Sequence, residues 1–219
     1  MTALKHFSLP RLALIVLMGS IALNGAPLQA GGVVEGVLAL SKSKRGTAAA
    51  LRYSTIKGAS PTPPALGVVW IKGDFKKGGA PKDAELAQKG FQFEKSVIAV
   101  QLGTKVSFPN HDDDYHSVFS YSKTKEFDLG RYRKTENAPS VTFDKAGEVK
   151  IYCEIHEHMR ASVLVLDTPH FTVTDEKGGF RLEGVPAGKH VLKYKLGRKT
   201  YDKQIEIKDG ASVKLDLGK

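Results

Sequence analysis

The chain has 219 residues, 41% of them hydrophobic, enough for one large or two small globular domains, and carries 33 basic against 23 acidic side chains, a net charge of +10. A basic balance can accompany nucleic-acid binding, but no RNA- or DNA-reading motif interrupts this sequence, so nucleic acid is set aside as a partner. A single cysteine, Cys153, excludes an internal disulfide framework.

In chain order, Lys5, His6 and Arg11 give a positive start, residues 12–22 form an apolar run, and Leu28-Gln29-Ala30 precede Gly31-Gly32. That is the layout of a secretory signal peptide cut after Ala30. The apolar run is shorter than the roughly 18 residues of a membrane anchor, so no membrane span is expected after cleavage. With no cysteine near the cut, a lipoprotein anchor is not expected either. The expected location is periplasmic or secreted. Cleavage removes two of the 33 basic side chains, Lys5 and Arg11, and none of the 23 acidic ones, so the mature chain is net +8.

The rest reads as strand and turn. Residues 42–64 lack apolar periodicity and end in Pro61-Thr62-Pro63-Pro64, a loop or linker; residues 76–81 form a second flexible patch. Residues 81–89 are the one short segment with helical character. Residues 97–100, 106–108, 118–121, 149–152 and 163–166 are short, rich in β-branched and aromatic residues, and bounded by Gly, Pro, Asn and Asp. Residues 180–182, 190–194 and 204–207 alternate apolar and polar side chains, with turns at residues 175–179 and 185–188. Short strands at regular turn spacing predict an all-β protein built of β-sandwiches.

Chemistry concentrates at residues 152–160, Tyr-Cys-Glu-Ile-His-Glu-His-Met-Arg. The three methionines stand at 1, 18 and 159, so the mature chain keeps one Cys and one Met, six positions apart, with His156 midway. A blue-copper site needs a thiolate, two imidazoles and a weak axial thioether. Cys-x2-His-x2-Met on a loop between strands supplies three of these groups. The remaining imidazole must come from elsewhere, and residues 110–118, which follow the strand at 106–108, offer it.

Residues 90–167 resemble a cupredoxin, the family of plastocyanin and amicyanin. Phe91-Gln92-Phe93, residues 97–100, residues 103–110 and His116-Ser117-Val118 are similar to its N-terminal strands and first histidine ligand, and the Cys-x2-His-x2-Met spacing, with Arg160 following, is similar to the amicyanin loop. The resemblance implies a Greek-key β-sandwich and one copper ion in a type 1 site, with His116 and His156 as imidazole ligands, Cys153 as thiolate and Met159 as axial sulfur. It implies one-electron transfer to redox partner proteins through an accessible edge of His156, with no enzymatic activity. Ser117 stands where many cupredoxins have an Asn that ties the ligand loops together, a departure expected to loosen them. His158 reads as an exposed neighbour and His111 as a loop-surface residue. Glu154, Glu157 and Asp112, Asp113 and Asp114 put acidic charge on the ligand loops and predict a negative metal end that steers a basic partner.

Residues 173–188 resemble the second half of a carboxypeptidase regulatory-like (transthyretin-like) β-sandwich, and residues 32–37 and 68–71 are similar to the strands of its first half. The resulting division is a signal peptide at 1–30, a first part of this small sandwich at 31–81, the cupredoxin at 82–168, and a second part at 169–219. Alternative functions are copper carriage or storage, a zinc-binding module using the same Cys and His groups, and a Cys/His-dependent enzyme.

Overall fold

The computed structural model describes residues 31–40, 59–75 and 81–218. The expected signal peptide, most of the linker at 42–64 and most of the patch at 76–81 lie outside them. The described residues form fifteen strands and no helix, and none is therefore a helix long and apolar enough to cross a membrane.

The strands are β1 (Gly32–Leu38), β2 (Val68–Lys72), β3 (Ala84–Glu85), β4 (Val97–Gln101), β5 (Lys105–Ser107), β6 (His116–Ser122), β7 (Lys125–Tyr132), β8 (Ser140–Thr142), β9 (Gly147–Tyr152), β10 (Arg160–Leu166), β11 (Phe171–Val173), β12 (Gly179–Val185), β13 (Gly188–Leu196), β14 (Lys199–Ile207) and β15 (Ser212–Leu217). They make four sheets, ordered β12-β1-β15, β11-β2-β13-β14, β4-β10-β9-β6-β7 and β3-β5-β8.

Alternation of side chains explains how the four sheets stack. Val69 and Ile71 of β2 face a core shared with Val34 and Leu38 of β1 and Leu182 of β12. Val68 and Trp70 point the other way, into a second apolar layer with Val97 of β4 and Leu164 and Leu166 of β10. Val163 and Val165 of β10 face a third core, with Val106, Phe108, Val149 and Ile151. Strands β2 and β10 are thus buried on both faces, which is why each reads as an unbroken apolar run rather than an alternating one. A central sandwich (β3 to β10) and a flanking one (β1, β2 and β11 to β15) share the middle layer.

The flanking sandwich draws its strands from both ends of the chain. β1 pairs antiparallel with β12 and parallel with β15; β2 pairs with β11 and β13. Gly36 lets β1 lie close between its neighbours, since a Cβ there would collide with the Leu215 carbonyl.

The helix expected over residues 81–89 is absent. Its amides are taken by neighbouring strands: Leu86 N donates to Ser107 O at 3.0 Å and Gln88 N to Pro109 O at 2.9 Å, while Leu86 is buried in the central core. Tertiary pairing overrides a weak local preference. Residues 91–93, expected as strand, are instead the far side of a turn in which Lys89 N donates to Gln92 O and Gly90 and Phe91 both have positive φ, 62° and 60°.

Candidate metal centre

Strands β9 and β10 are antiparallel neighbours with Tyr152 opposite Arg160, so the seven residues between them close a tight loop over the end of the central core. Met159 N donates to His156 O at 2.9 Å and Cys153 N to Met159 O at 3.3 Å, which ties Cys153, His156 and Met159 to one another through the backbone. Both sulfur residues belong to the central core, Cys153 at 4% exposure and Met159 at 0%. His116 opens β6 on the adjacent strand and is fully buried.

The fold brings His116, Cys153 and His156 together, with a donor atom of each within 4.8 Å of the others. The Nδ1 atoms of His116 and His156 are 3.1 Å apart, and Cys153 Sγ lies 4.0 Å from His156 Nδ1. Bonds of about 2.0 Å to nitrogen and about 2.3 Å to sulfur, at trigonal angles, would separate such donors by roughly 3.5–3.7 Å. The observed spacings lie within half an ångström of that, so the residues fit a single first-row metal ion.

Electrostatics favour the metal-binding form of the thiol. Burial pushes the Cys153 thiol up, but hydrogen bonds from His116, His156 and the Ser117 and His156 backbones outweigh it and bring it down to about 5. At neutral pH the side chain is then a thiolate, the form that ligates soft metals.

The residues around the cluster hold it in place. His116 Nε2 sits 2.8 Å from Asp112 Oδ2, turning Nδ1 inward. Asp112 also accepts the amides of Gly90 at 2.7 Å and Phe91 at 2.9 Å. Burial raises this carboxyl, and the Phe91 amide, His116 and the Gly90 amide together pull it below the usual carboxylate range. A carboxylate behind a ligating imidazole is a common orienting device in metal sites. The sequence marks Asp112 as one of the acidic residues on the ligand loops and not as an orienting partner of His116; the four-residue spacing between them was its one signal. Asn110 shapes the same loop, donating Nδ2 to Asp114 O and Tyr132 O and accepting the Asp112 amide.

Ser117 does tie the two ligand loops, contrary to expectation. Its hydroxyl accepts the Glu154 amide at 2.8 Å and lies 4.0 Å from Cys153 Sγ. The strand pairing brings Ser117 near enough that a short side chain suffices.

Three surface expectations change. His156 is 6% exposed, with Phe91 edge-on to its ring at 5.1 Å and His158 beside it at 6.2 Å, so only a small part of it reaches the surface. His158 is half-buried rather than exposed, with Nε2 2.7 Å from Phe91 O. Part of the acidic rim is paired: Glu154 with Arg131 at 3.1 Å, Asp113 with Lys134 at 2.7 Å, and Asp112 with His116, while Glu157 and Asp114 stay exposed with no ion pair among the described residues. His111 is exposed, as expected.

Solved structures similar to this chain include a reduced Cu(I) form of an amicyanin variant, at 22% identity over 45% of this chain and 98% of that one with a TM-score of 0.36. A purple cupredoxin from Nitrosopumilus maritimus matches at 20% identity over 38% of this chain and 99% of its own, TM-score 0.33. A Cu-containing nitrite reductase from Thermus scotoductus SA-01 matches at 22% identity and a TM-score of 0.37, over 39% of this chain. The match spans only 22% of the reductase. No protein-family model and no curated protein sequence matches the chain.

Proposed function

We propose that this protein binds one copper ion through His116, Cys153, His156 and Met159 and carries electrons singly between redox partner proteins, as an exported carrier rather than an enzyme. The observation that carries the reading is the buried His116–Cys153–His156 cluster, with both Nδ1 atoms turned inward and the thiol lowered to about 5. Two imidazoles and a thiolate with a weak thioether are the donor set of blue-copper electron-transfer sites. The choice of Met159 as the thioether is supported by its full burial in the same core as Cys153 and by its backbone hydrogen bonds to Cys153 and His156. Copper supplies the one-electron couple; the protein fixes its donors in a dry core, so little has to move when the charge changes.

The loop stems and Asp112 hold the imidazoles, which favours a carrier over a thiol-dependent enzyme. Cys153 is 4% exposed, which leaves its thiol little access to a substrate carbonyl. Export rests on residues 1–30, with a periplasmic or secreted destination. We read residues 82–168 as a cupredoxin domain inserted between the two parts, 31–81 and 169–219, of a transthyretin-like sandwich; the pairing of β1 and β2 with β11, β12, β13 and β15 supports this.

The test is addition of Cu(II) to the metal-free protein with visible absorption and electron spin resonance. The expected result is one equivalent of copper with an intense thiolate-to-copper charge-transfer band, abolished in Cys153→Ser. Binding of Zn(II) with no coloured Cu(II) complex would replace this reading with a structural zinc module.

A further inference from the structure

Past the edge of the shared apolar layer the two sandwiches part, leaving a cleft of about 240 Å³ floored by Val68 and Val97. Strand alternation decides its walls. Val149 and Ile151 of β9 point into the central core, so Glu148, Lys150 and Tyr152 point outward. Arg160, directly opposite Tyr152 on β10, joins them with its guanidinium 5.8 Å from the Tyr152 ring centre. From the flanking sandwich, the β13–β14 hairpin brings Lys195 and Arg198 to the opposite wall.

Four cations therefore converge on one concave space that holds a single carboxylate. Lys195, its side chain 11% exposed, pairs with Glu148 at 3.2 Å across the gap between the sandwiches. Among the described residues neither Lys150 nor Arg198 has a carboxylate partner. Lys150, Arg160 and Arg198 are exposed, and like charges set around a concave space repel one another and focus a positive field there. The same field attracts a counter-charge, and an anion placed there would meet groups from both sandwiches at once. The space is somewhat smaller than the usual ligand pocket, and its concavity suits a small molecule rather than a flat acidic protein face.

We propose that this cleft binds a small polyanion, a polycarboxylate or phosphate-bearing molecule, held jointly by Lys150, Arg160, Lys195 and Arg198. The anion clamps the flanking sandwich to the central one. The assignment is independent of the metal reading, because none of its groups is a candidate metal ligand.

The test is calorimetric titration of the full metal-free chain with citrate and with pyrophosphate, using acetate at matched ionic strength as control, alongside unfolding temperature. Saturable one-site binding of citrate or pyrophosphate that raises the unfolding temperature is expected, and the tighter of the two identifies carboxylate or phosphate chemistry. The double variant Lys150→Gln/Arg198→Gln changes two exposed side chains. It should weaken binding at least tenfold and leave the ligand-free unfolding temperature unchanged. No saturation above the acetate control, or equal binding by the double variant, overturns the proposal. So does binding of an acidic peptide with no response to either small anion, which would make the cleft a protein-docking surface.

Discussion

His116 Nε2 lies 2.8 Å from Asp112 Oδ2, and the same carboxylate accepts the amides of Gly90 and Phe91. One side chain thus sets the direction of an imidazole and the shape of the turn that roofs it. Asp112→Asn removes the charge while keeping the size. It should weaken Cu(II) affinity about 10–100-fold, the usual effect of losing an orienting partner behind a ligand. Because the carboxylate favours the more highly charged ion, the reduction potential should rise. Chelator competition and voltammetry measure both, and an unchanged affinity would mean that Asp112 serves only the turn.

The four ligand candidates should not respond alike. His116→Ala and His156→Ala each open a coordination position and should change the copper spectrum. Met159→Leu should retain copper and its colour, with the potential shifted upward by loss of a polarizable donor. A Met159→Leu protein that loses copper altogether would show that the thioether binds strongly instead of weakly.

Phe91 holds φ at 60°, a left-handed conformation that costs a residue with a Cβ about 1–2 kcal/mol. Phe91→Ala and Phe91→Gly both delete the ring over His116 and His156. Only the glycine relieves the backbone. Phe91→Gly should therefore be the more stable of the two by about 1 kcal/mol in urea unfolding. Equal stabilities would mean that the turn relaxes once the ring has gone.

Trp70 is the chain's one tryptophan and lies at 8% exposure in the layer between the sandwiches. Its fluorescence reports their separation directly. Leu164→Ala, in the same layer, should cost about 2–5 kcal/mol as a buried large-to-small change. Unfolding followed by Trp70 and by the copper band should shift together in that variant. A Trp70 transition that moves alone would show the sandwiches parting before the metal site is lost.

Two of the three side chains that the fold brings together, Cys153 and His156, were legible because they stand three positions apart on a strand-to-strand loop. His116 followed from its place after an apolar strand. What surrounds them was not legible, since Asp112 and Phe91 acquire their roles only when a turn and a loop from different parts of the chain close on each other. The strands at 97–100, 149–152 and 163–166 were visible from their residue types. β7 and β15 are not evident from composition although Phe127 and Leu129, and Val213, Leu215 and Leu217, alternate with polar residues; their many charges mask the period. The apolar runs at 68–71 and 163–166 carried a further message, two-sided burial, that becomes specific only once their opposing sheets are known.

The make-up of the flanking sandwich sets an order of events in folding. Glu35 of β1 meets Ser212, 177 residues later, through a side-chain hydrogen bond, and both sheet neighbours of β1 lie near the end of the chain. The central sandwich can close through hairpins of neighbouring strands, β6 with β7 and β9 with β10, whereas β1 must wait for β12 and β15. Contacts so distant in sequence form slowly. Until they form, β1 is an unpaired strand carrying Val34 and Leu38, a template for pairing with other chains. Pairing with β15 closes an edge of β1 that would otherwise stay open, so the same contact that completes the sheet also guards it against aggregation.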